Sequence, residues 1–273
     1  MCNSDADRLR PARDDRRKLA IGHATFERMV SYSHPFITTI GRPLSDDEGD
    51  FVGSGAFMTF GGQTFLVTAA HVINRAEDRA LSGRAVFSNG SGKPVQFISG
   101  PVFRDLELDL AVSPVTLEPP PDSTRKSCPE SLIASRAGTL CDFLFVHGFP
   151  SARSRYSRIG PCIHSETLPF GTSSVEPTWP DFDPAVHFAV GFTPQYTEFS
   201  DGTNADIPLP DGMSGCPVWN TRRAEVGDSW KVNDARIVGV IHRFDQEGQC
   251  LIGTKIECLH DLITTAHRNM GAT

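Results

Sequence analysis

From residue 35 onward, short apolar and β-branched runs alternate with turn residues, and no long helical period comes between them. Phe36-Ile37-Thr38-Thr39-Ile40 is the first run and stops at Gly41-Arg42-Pro43. The acidic stretch 46–50 is predicted to be a loop. Runs at 54–60 and 63–68 flank Gly61-Gly62, a strong hairpin signal, because two adjacent glycines accept the positive φ of a tight turn. Further strands are predicted over 85–87, 95–99, 110–115, 143–147, 162–166, 187–192, 236–243 and 250–255. Many short strands near regular spacing point to an all-β barrel or sandwich. Leu259, Leu262, Ile263 and Ala266 recur at helical intervals, so 259–267 is predicted to be a closing helix.

Two stretches break this pattern. Residues 1–34 are highly charged, with Leu9, Leu19, Ile21, Phe26 and Met29 spaced loosely, and are expected to form a helical or partly disordered extension. Pro119-Pro120-Pro121 followed by Asp122-Ser123 marks a connection. It divides the rest into comparable β halves, 35–122 and 123–273.

Composition narrows the class. Of 273 residues, 39% are hydrophobic and 22% charged, enough apolar matter for a sizeable core. A formal net charge of −7 argues against a nucleic-acid partner held through its phosphates. No run of 18 apolar residues occurs, so no membrane span is expected, and residues 1–20 lack the apolar core of a secretory leader. The seven cysteines follow no framework spacing and include no CxxC pair; they read as reduced thiols of a cytoplasmic protein. His147, His164 and His187 lack metal-ligand spacing, so neither a metal nor another cofactor is expected. Trp179, Trp219 and Trp230 read as packing or surface aromatics.

Three stretches carry candidate chemistry. In Thr68-Ala69-Ala70-His71-Val72 a histidine follows two small residues at the end of a buried strand. Its imidazole titrates near neutrality and suits a general base, although a lone histidine is more often a packing residue. In Asp105-Leu106-Glu107-Leu108-Asp109-Leu110-Ala111-Val112, Asp109 opens an apolar run that draws its carboxylate inward, where it needs a partner such as a histidine N–H. Asp105 is the second choice, and Glu107 is expected to be solvated. In Asp211-Gly212-Met213-Ser214-Gly215-Cys216-Pro217-Val218, flanking glycines permit a turn that raises the Ser214 hydroxyl and aims the Gly212 and Ser214 amides at one point, an oxyanion hole. Alone, this stretch equally describes a surface turn. The order His71, Asp109, Ser214 adds weight, because catalytic triads on different folds run in different orders.

On these residues the chain resembles a trypsin-like, chymotrypsin-fold serine peptidase of the bacterial kind without zymogen machinery. The similarity rests on Gly53 to Phe57, Phe65 to Val72, Asp109 to Val112, Val146-His147-Gly148-Phe149-Pro150, Gly212 to Val218 and Val238 to Ile241. It spans roughly 35–270. The resemblance implies two packed six-stranded antiparallel β-barrels with the triad in the cleft between them. It implies Ser214 as nucleophile, His71 as base, Asp109 as its orienting acid, and a protein or peptide substrate. Met213 stands where zymogen-type members carry an activating aspartate, and Cys216 replaces the usual second glycine; the thiol is expected to pack rather than react.

Substrate preference is expected from 199–210 as a pocket wall and from His242 and Arg243. A cation there would favour an acidic residue at the cleaved bond, although strand alternation sends only one of the two inward. Regulation by a protein partner or by narrow specificity is the expected restraint on a cytoplasmic peptidase. The competing class is an inactive peptidase fold used for binding or scaffolding. An α/β-hydrolase is disfavoured, because Cys216 stands where its second glycine belongs and His71 precedes the serine.

Overall fold

A computed structural model describes residues 13–45, 48–78, 80, 83–88, 90–118, 121–138, 140, 143–157, 161–194 and 207–271, with side chains from residue 21 onward. Among the described residues, the first half holds seven strands: β1 (Ile37–Pro43), β2 (Gly49–Phe60), β3 (Gln63–Thr68), β4 (Val86–Ser88), β5 (Val95–Phe97), β6 (Phe103–Asp105) and β7 (Leu110–Pro114). They form one antiparallel sheet in the order β5-β4-β1-β2-β3-β7-β6, one strand more than the six expected. Both edge strands, β5 and β6, are only three residues long.

The second half builds a six-stranded antiparallel sheet, β11-β8-β13-β14-β15-β12, from β8 (Leu144–Gly148), β11 (Leu168–Thr172), β12 (His187–Gly191), β13 (Pro217–Asn220), β14 (Arg236–Asp245) and β15 (Cys250–Lys255). A separate ribbon pairs β9 (Ser154–Tyr156) with β10 (Ile163–Ser165). The helices are α1 (Arg13–Ser33), α2 (Ala70–Glu77), the single turn α3 (Arg223–Val226) and α4 (Ile256–Gly271). The architecture is an all-β barrel fold closed by a C-terminal helix. No helix among the described residues is long and apolar enough to cross a membrane.

The apolar runs of β2 and β3 show little alternation because both faces of their hairpin are covered. Phe57 and Leu66 point into a core of the first half with Ile40, Phe87, Ala111 and Val72 of α2. Ala56, Met58, Phe65 and Val67 point the other way, into a larger core shared with the second half and α4. Each fully buried Phe, Leu or Met contributes about 1.5–3 kcal/mol. Gly61 and Gly62, with φ of 55° and 82°, turn the hairpin as their sequence demands. β2 begins at Gly49, so Asp50 lies in a strand opposite Arg42 rather than in a loop, and their side chains form an ion pair at 2.8 Å.

The segment before Pro35 does more than extend the chain. Met29 of α1 is fully buried, Phe26 meets Phe145 edge-on at 5.7 Å and Tyr32 meets Trp219 at 6.2 Å. Buried Ser33 shares a 2.7 Å hydrogen bond with His147 Nδ1 of β8. Arg125 of the inter-half connection is also buried, and it donates to the carbonyls of His34 and Ile37. Leu259, Ile263 and Ala266 form the buried stripe of α4, at the spacing read from sequence. Of the expected inter-half connection, Pro119-Pro120 lies outside the described residues.

Candidate active site

The His71–Asp109 corner is built within the first half. β3 ends at Thr68, Ala69 is extended, and α2 starts at Ala70, so His71 occupies the first turn of a helix rather than a strand end. Ala69 and Ala70 are buried, and their small side chains let this turn close against β7. Asp109 lies in the β6–β7 turn with φ of 49°, a left-handed conformation that aspartate tolerates better than most residues. Asp105 stabilises that turn through Oδ1, which accepts the Glu107 and Leu108 amides at 3.1 and 3.0 Å. Glu107 is exposed.

Asp109 is used three times. Its carbonyl accepts the Ala70 amide at 3.1 Å, Oδ1 accepts the His71 amide at 2.8 Å, and Oδ2 lies 2.6 Å from His71 Nδ1. A carboxylate can only accept, so Nδ1 carries the proton and Nε2 keeps a lone pair. Burial alone would raise the Asp109 carboxyl. The hydrogen bonds from the His71 ring and backbone outweigh it and hold the group below its ordinary value. The two side chains stay about one-third and one-quarter exposed, facing a cavity.

Ser214 reaches the same cavity from the second half; Gly212, Asp211, Arg75, Ser151 and His242 also line it. Its loop is held from several sides. Gly215 N–H donates to the Ile241 carbonyl at 2.7 Å, and Ile241 N–H returns a bond to Cys216 at 2.9 Å. Ser54 of β2 clamps it from the other half. Its amide donates to the Ser214 carbonyl at 2.9 Å, and its hydroxyl donates to the Gly212 carbonyl at 2.8 Å while accepting the Phe149 amide at 2.9 Å. Thr68 donates to the Ser54 carbonyl at 2.7 Å. Gly212 and Gly215 have φ of 90° and 93°, and a Cβ on Gly215 would run into the Ser54 carbonyl and Thr68 hydroxyl oxygens.

Met213 is buried against Gly148, so the loop is anchored by apolar packing where a carboxylate was the alternative. Cys216 is also buried, and burial pushes its thiol up, away from the reactive thiolate. Among the described residues, no protein acceptor takes the Gly212 or Ser214 amide hydrogen. The Ser214 hydroxyl donates to the His242 carbonyl at 3.3 Å, and no hydrogen bond joins it to His71.

His242 and Arg243 part company. His242 is buried behind Asp109, with Nδ1 3.9 Å from the same Oδ2 that His71 uses. Burial pushes its pKa down to about 4 against the opposing pull of Asp109, so it is neutral at pH 7 and offers no cation to a substrate. Its Nε2 has no partner, and its ring lies 5.5 Å from His187 and 6.1 Å from Trp179. Arg243 is exposed at the cavity and stacks over Trp179 at 4.9 Å. Residues 199–206 of the expected pocket wall lie outside the described residues; Pro210 lines the cavity.

The roles of Ser54, Thr68, Trp179 and His187 around the cavity are not legible in the sequence. Gly53-Ser54-Gly55 read only as hairpin, and nothing local marks Trp179 or His187 as neighbours of position 242. Trp219 and Trp230 are buried packing residues.

No protein-family model and no curated protein matches the sequence. Solved structures do. The inactivated protease paralogue S-I1 of the scabies mite superposes with a TM-score of 0.53 at 15% identity, covering 87% of this chain and 96% of that one. The active form of the Rv3671c protease of M. tuberculosis gives a TM-score of 0.45 at 15% identity, covering 85% and 81%. The first likeness and the sheet order together define a chymotrypsin-like protease fold.

Proposed function

We propose that this protein is a serine endopeptidase working through Ser214, His71 and Asp109. The observation that carries the reading is the two-point hold of Asp109 on His71, at 2.8 and 2.6 Å, in a cavity that Ser214 and Gly212 also line, their amides without an acceptor among the described residues. The Ser214 oxygen attacks a peptide carbonyl as its proton passes to His71 Nε2, and Asp109 stabilises the imidazolium. The developing oxyanion takes the two amide hydrogens. The C–N bond then breaks, the amine leaves with the proton from His71, and water releases the acyl group by the same route. The reading requires the Ser214 hydroxyl to leave the His242 carbonyl and donate to His71; at 3.3 Å the bond given up is weak.

All five described cysteines are free thiols, which supports a reducing, cytoplasmic setting, and there narrow specificity or a protein partner restrains the enzyme. Fluorophosphonate labelling of wild type against Ser214→Ala tests the assignment. Labelling lost in the variant is expected; a folded but unlabelled wild type would overturn it. One observation favours the second reading, a binding or scaffold module, namely that the Ser214 hydroxyl donates to the His242 carbonyl and not to His71.

A further inference from the structure

The cavity at Ser214 continues past Ser151 into a second groove, and Val52, Arg75 and Ser151 line both. The groove has an unusual charge balance for a protein of net charge −7. Arg42 in its wall has four of its five N–H groups engaged. Nε and Nη2 donate to Asp50 Oδ2 at 3.0 and 2.8 Å, and Nη1 donates to the carbonyls of Arg75 and Asp78 at 3.1 and 2.9 Å. That ties the C-terminal turn of α2 to the β1–β2 pair and leaves Arg42 little to offer a ligand.

Arg75 and Arg155 are different. Both are exposed in the groove, from opposite halves of the molecule, and among the described residues neither guanidinium has an acceptor. Ser154 and Tyr156 line the same groove, but their hydroxyl oxygens are buried, so the two guanidiniums are the groups it presents. Glu48 is the opposing carboxylate here that no arginine holds, and Asp211 is its counterpart in the Ser214 cavity. Two free planar forks, continuous with the nucleophile's cavity, fit a carboxylate better than a neutral or basic side chain.

We infer that this groove is a substrate subsite for an acidic side chain, on the flank of the scissile bond opposite Arg243, with Arg75 and Arg155 as its recognition residues. The inference deepens the peptidase reading and rests on it. A peptide lying in the groove shields these pairs from water, so exchanging Glu for Gln there costs about tenfold in affinity or kcat/KM.

The test uses the full chain carrying Ser214→Ala, so that binding is read without turnover. Fluorescence anisotropy compares fluorescein-labelled hexaglutamate with hexaglutamine. Hexaglutamate is expected to bind at least about tenfold more tightly. Adding Arg75→Gln and Arg155→Gln is expected to abolish the difference, and Glu48→Gln to widen it. Equal binding of the two peptides, or a difference that survives both arginine substitutions, overturns the inference. Wild type is then incubated with a random peptide library. Cleavage with Asp and Glu enriched on one flank, and lost in Arg155→Glu, supports it; cleavage without that enrichment overturns it. If wild type neither cleaves nor takes the fluorophosphonate while the anisotropy difference holds, the subsite stands as an acidic-peptide site and the peptidase reading falls.

Discussion

The two sides of the cavity are held by different physics. On the first-half side, His71 and Asp109 are locked by short polar bonds between two adjacent turns of one sheet. On the second-half side, Ser214 makes one weak side-chain bond, and its loop is set by glycine backbone, buried Met213 and Cys216, and the Ser54 clamp from across the interface. His71 and Asp109 are thus positioned by hydrogen bonding and charge between turns that flank the paired strands β3 and β7. Ser214 is positioned by shape, through contacts that exist only once both halves have packed. A corner of the first kind tolerates strain elsewhere; a loop of the second kind fails when its volume changes.

Gly215→Ala should break this comparison most severely. The new methyl group overlaps the Ser54 carbonyl and Thr68 hydroxyl oxygens at a φ of 93°, so the loop or the β2–β3 hairpin must move. We expect fluorophosphonate labelling to vanish and urea unfolding to show a loss of about 3 kcal/mol or more. Labelling at the wild-type rate would show that the loop is not shape-determined. Asp109→Asn probes the other side. Its carbonyl oxygen can still accept the His71 amide, but the ring tautomer is no longer enforced, so kcat on a peptide substrate should drop by about 10⁴ with the fold intact. A loss under tenfold would detach Asp109 from the chemistry.

Acid should separate the two sides by degrees. Buried His147 and His242 have pKa values pushed down to about 3 and about 4, and the same burial lowers His187. The unfolded chain binds these protons near pH 6.5 and the folded chain does not, so stability falls as pH drops below about 6.5. Each such group contributes a slope of about 1.4 kcal/mol per pH unit until its folded value is reached. Asp109 is lowered, so its contribution is present above its ordinary pKa and disappears only below about pH 4. Urea midpoints from pH 7.5 to 5 should therefore decline while the His71–Asp109 bond persists, and His147→Gln should flatten the decline. A pH-independent midpoint over that range would show that these histidines are charged or solvated in the native protein.

The parts of the site that were legible share one property: their signal is short in sequence. The Gly61-Gly62 hairpin, the β15 strand at 250–255, the α4 stripe and the Gly212–Gly215 turn each state their geometry within a few residues. Among the described residues, four strands carry no readable sequence signal, β6, β9, β11 and β13. Two are three-residue strands, and the others carry Pro169 or Pro217, so none offers enough alternation to read. Helix α2 was missed because its eight residues follow directly on a strand, and Ala-Ala-His continues an apolar run that fits either state.

His242 shows the limit of strand alternation most clearly. Periodicity sends one of residues 242 and 243 inward, but it does not say that inward means behind Asp109 rather than into a substrate pocket. A register shift between Ile241 and Arg243, together with the stack of His187 and Trp179, made that choice.

What the chain determined by itself is the β class, the strand-forming runs and the identity and order of His71, Asp109 and Ser214, because each depends on residue type and near neighbours. The pairing of those side chains, the Ser54 clamp, the burial of α1 and the unpaired arginines at the cleft were decided by tertiary structure alone. They join residues from distant stretches, such as Ser54 with Gly212 or Ser33 with His147, and contacts of that range exist only after the two halves have closed over a common core.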